Sequence, residues 1–144
     1  MVEYMQVISA RGGRPAAGLT RVCPEGSVSV MTDCVFCRII AGELPAKIIY
    51  QDDEVIAFPD IHPVAPTHLL IIPRKHVPSL AELPDAEAAL VGRMVRVANQ
   101  LARERGVAAS GYRLVINSGK DGAQVVPHLH LHLLAGRPLA PGMG

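Results

Sequence analysis

The stretch His128-Leu129-His130-Leu131-His132-Leu133 alternates two residue types without a break. In a β-strand successive side chains leave the backbone on opposite faces, so the three histidines share one face and the three leucines the other. The leucine face is suited to a core. The histidine face is not, because imidazoles about 7 Å apart along a strand make a poor structural surface. Three in register therefore point to chemistry, whereas a lone histidine would read as a satisfied core or surface residue.

Working outward, His128–Leu134 reads as the last strand, preceded by a loop over 118–126 and a strand Tyr112–Asn117. His68–Ile72 is a short continuous apolar run closed by Pro73, the pattern of a buried strand. Lys47–Gln51 and Glu54–Phe58 read as two strands joined across Asp52-Asp53. Val35–Ala41 reads as a short helix ended by Gly42. A long helix begins at Asp85, its N-cap candidate, carries Leu90, Met94, Val97 and Leu101 at spacings of three and four, and stops at Gly106. Five strands, one main helix and hairpin-type connections predict an α+β domain with an antiparallel sheet.

The chain of 144 residues is long enough for one real core and too short for two. With 49% apolar and 19% charged residues its balance is globular. A formal net charge of +1 argues against a nucleic-acid or membrane-surface partner. With only three Tyr, two Phe and no Trp, a stacking platform for single strands is disfavoured. No apolar run reaches the roughly 20 residues needed to span a bilayer, and no secretion signal is legible. The three cysteines form no disulfide framework, so a cytoplasmic location is expected. Residues 1–30, rich in Gly and Pro and without histidine, read as a flexible extension or as sequence upstream of a true start at Met31; residues 31–144 form the domain. Cys23 in that extension reads as incidental.

Two chemistries fit the histidine face. Histidines at i and i+2 can chelate a metal. Alternatively, one neutral imidazole attacks an electrophile while its neighbours fix its tautomer and assist the leaving group. The second needs an anion cradle, and the glycine-containing loop Asn117-Ser118-Gly119-Lys120-Asp121-Gly122-Ala123-Gln124 can turn backbone N–H groups toward a phosphate. Cys34-x-x-Cys37 is half of a zinc centre or a pair of buried core thiols.

From Cys34 to His76 (CVFCRIIAGELP through IIPRKH) and from Gly111 to Pro138 (GYRLVINSGKDGAQVVPHLHLHLLAGRP) the sequence resembles the histidine-triad (HIT) superfamily, and within it the Hint branch of nucleoside phosphoramidases. The resemblance implies an antiparallel sheet with a packed helix, assembled as a two-fold homodimer. It implies a purine nucleoside monophosphate or phosphoramidate as ligand, with hydrolysis through a covalent nucleotidyl-histidine. His130 would attack the α-phosphorus, His132 would contact the phosphate and help the leaving group, His128 would support the site from behind, and His68 would sit beside the triad. Asn117 and the Ala123–Val125 backbone would hold phosphate oxygens, with Gln124 at the edge of that loop. Asp60 would accept from ribose hydroxyls, and Val35, Phe36, Ile39, Phe58, Ile61 and Leu70 would form the slot for the base. No metal is required for that chemistry. Some bacterial members complete a structural zinc site with histidines matching His76 and His128, beside Cys34 and Cys37.

The sequence departs from the Hint pattern at Val125, where a serine commonly offers its hydroxyl to the phosphate, at Ala123, a frequent glycine, and at His62, usually serine. The tail Leu139–Gly144 lacks the tryptophan that often ends this branch. Alternatives are a dinucleoside polyphosphate hydrolase, a nucleotide-binding or interaction module with weak catalysis, and a metal-dependent catalytic centre.

Overall fold

The computed structural model describes residues 33–142. The expected extension, residues 1–30, and Cys23 within it lie outside the described residues. The elements run α1 (Val35–Ile40), β1 (Tyr50–Gln51), β2 (Val55–Pro59), β3 (Thr67–Pro73), two 3-10 turns (Leu80–Glu82 and Asp85–Glu87), α2 (Ala89–Glu104), β4 (Tyr112–Val115) and β5 (Leu131–Ala135). The five strands form one sheet in the order β1-β2-β3-β5-β4, and every neighbouring pair is antiparallel.

Alternation along three central strands divides the interior in two. Val55 and Ala57 of β2, Leu69 and Ile71 of β3, and Leu131 and Leu133 of β5 meet Met94, Val97, Ala98, Leu101 and Ala102 of α2 on one face. Leu129 joins them from just ahead of β5. Ile56, Phe58, Leu70 and Ile72 point the other way, against Phe36, Cys37 and Ile39 of α1. The sheet is thus covered by a helix on each side. Truncating a buried leucine such as Leu101 to Ala would cost about 2–5 kcal/mol, since it removes both burial and packing.

Both helices stop where glycine was expected to stop them: Gly42 and Gly106 adopt φ of 78° and 70°, a region closed to most side chains. Other boundaries differ. Asp85 is not the cap of the long helix; it opens a 3-10 turn whose N-cap is Pro84, with no side-chain cap bond, and α2 proper starts four residues later. The segment 47–49 does not belong to β1, although Ile49 N–H still donates to Ala57 O at 2.9 Å. The last strand begins at Leu131 rather than His128. Pro127 has no N–H to give a ladder, and Leu129 N–H instead donates to Val77 O at 2.7 Å. The two-faced arrangement survives this irregular entry, because Leu129 and the three histidines are all buried on their expected sides.

Across the hairpin, Asp52 accepts from the Glu54 and Val55 amides and from Tyr50, and it pairs with Arg93 of α2. These contacts tie the β1–β2 turn to the helix and hold the Asp52 carboxyl well below its ordinary range despite the opposing effect of burial.

Candidate active site and metal centre

His128, His130 and His132 are buried, at 0%, 2% and 6% exposure, and Asp60, His68 and His76 are buried around them. Register places Leu70 opposite His132 and His68 opposite Leu134, so His68 and His132 are diagonal neighbours on the α1 face of the sheet. Their rings meet with Nε2 of His68 2.9 Å from Nδ1 of His132. Phe36 of α1 packs edge-on against His130, with ring centroids 5.3 Å apart, and against His128 and Phe58.

Partner atoms that can only accept or only donate settle the ring protons. His130 Nδ1 lies 2.7 Å from the carbonyl oxygen of His128. A carbonyl accepts only, so Nδ1 carries the proton and Nε2 is left with its lone pair. His128 Nε2 lies 2.9 Å from the carbonyl of Pro73, so there the proton is on Nε2 and Nδ1 is bare. The two adjacent triad members are thereby held in opposite tautomers. Burial is the main cause that lowers the pKa of His130 and takes His132 to about 4 and His128 to about 3. His130 is a neutral imidazole with an available Nε2 at neutral pH, which is the state a nucleophile requires.

Bare Nδ1 of His128 faces a second cluster. Cys34, Cys37, His76 and His128 are all buried, and their donor atoms lie within 4.8 Å of one another. Individual separations are 3.3 Å (Cys34 Sγ–His128 Nδ1), 3.2 Å (Cys37 Sγ–His76 Nδ1), 3.6 Å (Cys37 Sγ–His128 Nδ1) and 3.2 Å (His76 Nδ1–His128 Nδ1). Ligand bonds of about 2.0–2.3 Å set tetrahedral edges of about 3.3–3.8 Å, so the donors are already close to the spacing a zinc ion needs. Cys34 also caps α1, its sulfur accepting from Cys37 N–H at 3.4 Å. Burial pushes the Cys34 thiol up, so without a metal it stays protonated. This cluster can bind a metal ion.

The loop expected to cradle a phosphate is shaped partly by the side chain of Gln124, expected at its edge. Gln124 Oε1 accepts from Gly119 N–H at 2.9 Å, while Nε2 donates to Pro78 O at 2.7 Å and Val126 O at 2.9 Å. Its amide is occupied in closing the loop 119–124 and pinning it to the segment after β3. Ala123 sits at φ 58°, the one non-glycine residue with positive φ among the described residues, as the glycine usual at this place would explain. Val125 is half-buried and brings no hydroxyl. Asn117 is half-buried and lines a groove of about 590 Å³ with Arg113, Val115 and the tail residue Pro141.

Asp60 accepts from His62 N–H at 2.9 Å through Oδ1, and its Oδ2 lies 3.4 Å from His68 Nε2. Of the six residues assigned to a base slot, Val35, Phe36, Ile39, Phe58 and Leu70 are buried in the α1-side cluster, whereas Ile61 is 50% exposed. Sequence reasoning missed the carbonyl of Pro73, the amide of Val64 that donates to His68 Nδ1, and the bracing role of Gln124. The first two are main-chain atoms, which no residue type announces.

A family model described as the HIT domain matches residues 41–139. The purine nucleoside phosphoramidase of Escherichia coli (strain K12) is 47% identical over 109 residues, covering 76% of this chain and 92% of the relative. Among solved structures, a histidine triad protein from Clostridium difficile superposes with a TM-score of 0.75 at 46% identity, over 77% of this chain and 96% of the other. A zinc-bound histidine triad family protein from Mycobacterium smegmatis superposes with a TM-score of 0.65 at 36% identity, over 74% and 76%. With the triad geometry and the five-stranded sheet, these likenesses show that the chain belongs to the HIT domain family.

Proposed function

We propose that the protein is a nucleotide hydrolase that cleaves purine nucleoside 5′-phosphoramidates through a nucleotidyl-histidine intermediate. The observation that carries this reading is His130, buried, neutral and holding its only proton on the Nδ1 side. The 47% identity to a purine nucleoside phosphoramidase supports the substrate class. Nε2 of His130 attacks the α-phosphorus, a bond forms between them and the P–N bond breaks, the departing nitrogen taking up one proton. Water then attacks the histidine-bound phosphorus, gives up one proton, and releases the nucleoside monophosphate. Dividing one displacement into two lets the same donors stabilise both transition states. His132 and the loop amides around Ala123–Val125 supply those donors, with Asn117 beside them. Asp60 takes the ribose hydroxyls, and the base lies against Ile61 over the Val35, Phe36, Ile39, Phe58 and Leu70 floor.

The Cys34, Cys37, His76 and His128 cluster holds zinc in a structural role. Bound there, the ion would fix His128, whose carbonyl orients His130, and it would take no part in bond making. The chain pairs as a homodimer, and the outer edge of β4, unpaired among the described residues, is the surface suited to it. No helix among the described residues is long and apolar enough to cross a membrane.

The test follows hydrolysis of adenosine 5′-phosphoramidate by the reduced protein, by His130→Ala, and after chelation. Turnover lost in His130→Ala, retained soon after chelation, and accompanied by an adenylated peptide containing His130 is expected. Turnover that survives His130→Ala, or is abolished at once by chelation and restored by zinc, would overturn the covalent reading in favour of metal-dependent catalysis. Binding of AMP without turnover would leave a binding module, and preference for a dinucleoside polyphosphate would move the substrate class.

A further inference from the structure

We propose that the backbone amide of Val64, acting through His68, locks His132 as a neutral imidazole with its proton on Nε2, so that His132 meets the reaction only as a hydrogen-bond donor to a phosphoryl oxygen. Val64 N–H lies 3.1 Å from His68 Nδ1, and an amide can only donate. His68 Nδ1 must therefore be bare, and a neutral His68 must carry its proton on Nε2. That Nε2 is 2.9 Å from His132 Nδ1 and 3.4 Å from Asp60 Oδ2, so the nearer acceptor is His132. With Nδ1 accepting, the single proton of His132 stands on Nε2. That atom is buried and has no hydrogen-bond partner among the described residues. An unpartnered buried N–H is costly unless a ligand satisfies it, and an anion does so best.

Burial also pulls both rings below their ordinary titration range, which keeps them neutral. Val64 itself is 61% exposed, so its contribution to the site is its main chain alone. Its carbonyl is gripped by Arg137 at 2.8 Å, which holds the loop at the same residue. The tautomer chain also separates two clusters that look alike by proximity. Asp60, His68 and His132 bring donor atoms within 4.8 Å of one another as the cysteine–histidine set does. In the cysteine–histidine set the Pro73 carbonyl leaves the His128 ligand atom bare, whereas here the Val64 amide puts a proton on the atom of His68 that a metal would need. The Val64 amide, His68 and His132 therefore form a donor relay, and Val64 and His68 are positioning residues.

The donor role rests on the nucleotidyl-histidine reading; the tautomer does not. Long-range proton–nitrogen spectra of the ¹⁵N-histidine-labelled full chain read each ring directly, and no variant has to fold. Both His68 and His132 are expected as neutral rings protonated on Nε2, with His130, protonated on Nδ1, as the opposite reference in the same spectrum. An Nδ1-protonated or imidazolium His132 near neutral pH overturns the proposal. For the donor role, an α-phosphorothioate analogue of the phosphoramidate replaces a good acceptor by a poor one. One diastereomer should react roughly tenfold or more slowly than the oxygen parent with wild type, the effect of one hydrogen bond to a charged group. In His68→Phe that ratio should shrink while the parent kcat falls and KM holds. An undiminished ratio overturns the donor role; Nε2-protonated His132 in a protein that turns over neither substrate would instead sink the hydrolase reading and leave the tautomer chain standing.

Discussion

Gln124→Glu is an isosteric change that tests whether the loop is braced as described. The new carboxylate keeps an oxygen for Gly119 N–H but replaces the donor Nε2 with an oxygen facing the carbonyls of Pro78 and Val126, now at 2.7 and 2.9 Å. Two donated hydrogen bonds are lost, at about 0.5–1.5 kcal/mol each, and an acceptor is left crowded against two others, so a total loss of about 2–4 kcal/mol is expected. A proton on the carboxyl would restore one of the two bonds. The folded-state pKa of the introduced carboxyl should therefore rise above its unfolded value, and the penalty, full above that folded value, should be relieved as pH falls through it. Urea unfolding of wild type and variant at pH 7 and pH 5 reads this as a difference, which cancels acid effects common to both. With slopes of about 1–3 kcal/mol per molar, the variant midpoint should drop by roughly 1–3 M at pH 7, with a smaller gap at pH 5. A variant as stable as wild type at pH 7, or a gap that does not narrow, would refute the bracing role and return Gln124 to the ligand.

Three further outcomes follow from the same geometry. Ala123→Gly relieves a residue held at φ 58° and should stabilise by about 0.5–1 kcal/mol after the extra entropy of glycine, read as a rise of a few degrees in Tm; a fall would show that the loop does not hold this conformation in solution. Val125→Ser restores a hydroxyl beside the loop and should tighten AMP binding or raise kcat/KM about tenfold, the effect of one bond to a charged oxygen, whereas no change would place residue 125 away from the phosphate. Acid should affect activity and stability differently. His132, taken to about 4 mainly by burial, stays neutral in the fold while unfolded histidine protonates near 6.5, so stability on the order of 3 kcal/mol is lost between pH 6.5 and 4, and kcat/KM should persist below pH 6.5; an acid limb centred at 6.5 in the pH–rate profile would contradict the burial of the triad.

How much of this was legible in the residues depends on which atoms do the work. The alternation His128–Leu133 predicts both faces, because a period of two survives even where no ladder forms: Leu129, Leu131 and Leu133 enter the α2-side core and the histidines face α1. It does not show where pairing starts. That is decided by Pro127, which cannot donate, and by Val77, whose carbonyl takes the Leu129 amide. Of the four residues in the cluster that can bind a metal, Cys34 and Cys37 are named by type and spacing, whereas His76 and His128 enter through the family resemblance. Their competence as ligands is announced by neither, because it rests on the Pro73 carbonyl freeing His128 Nδ1. The same division runs through the histidine rings. The sequence says that three imidazoles share a face; the carbonyl of His128, the carbonyl of Pro73 and the amide of Val64 say which nitrogen of His130, His128 and His68 holds the proton. Side chains named the site, and main-chain atoms brought together by the fold assign each ring its role. A substitution that preserves every histidine but shifts residues 64 or 73 should therefore impair the site as surely as replacing a histidine.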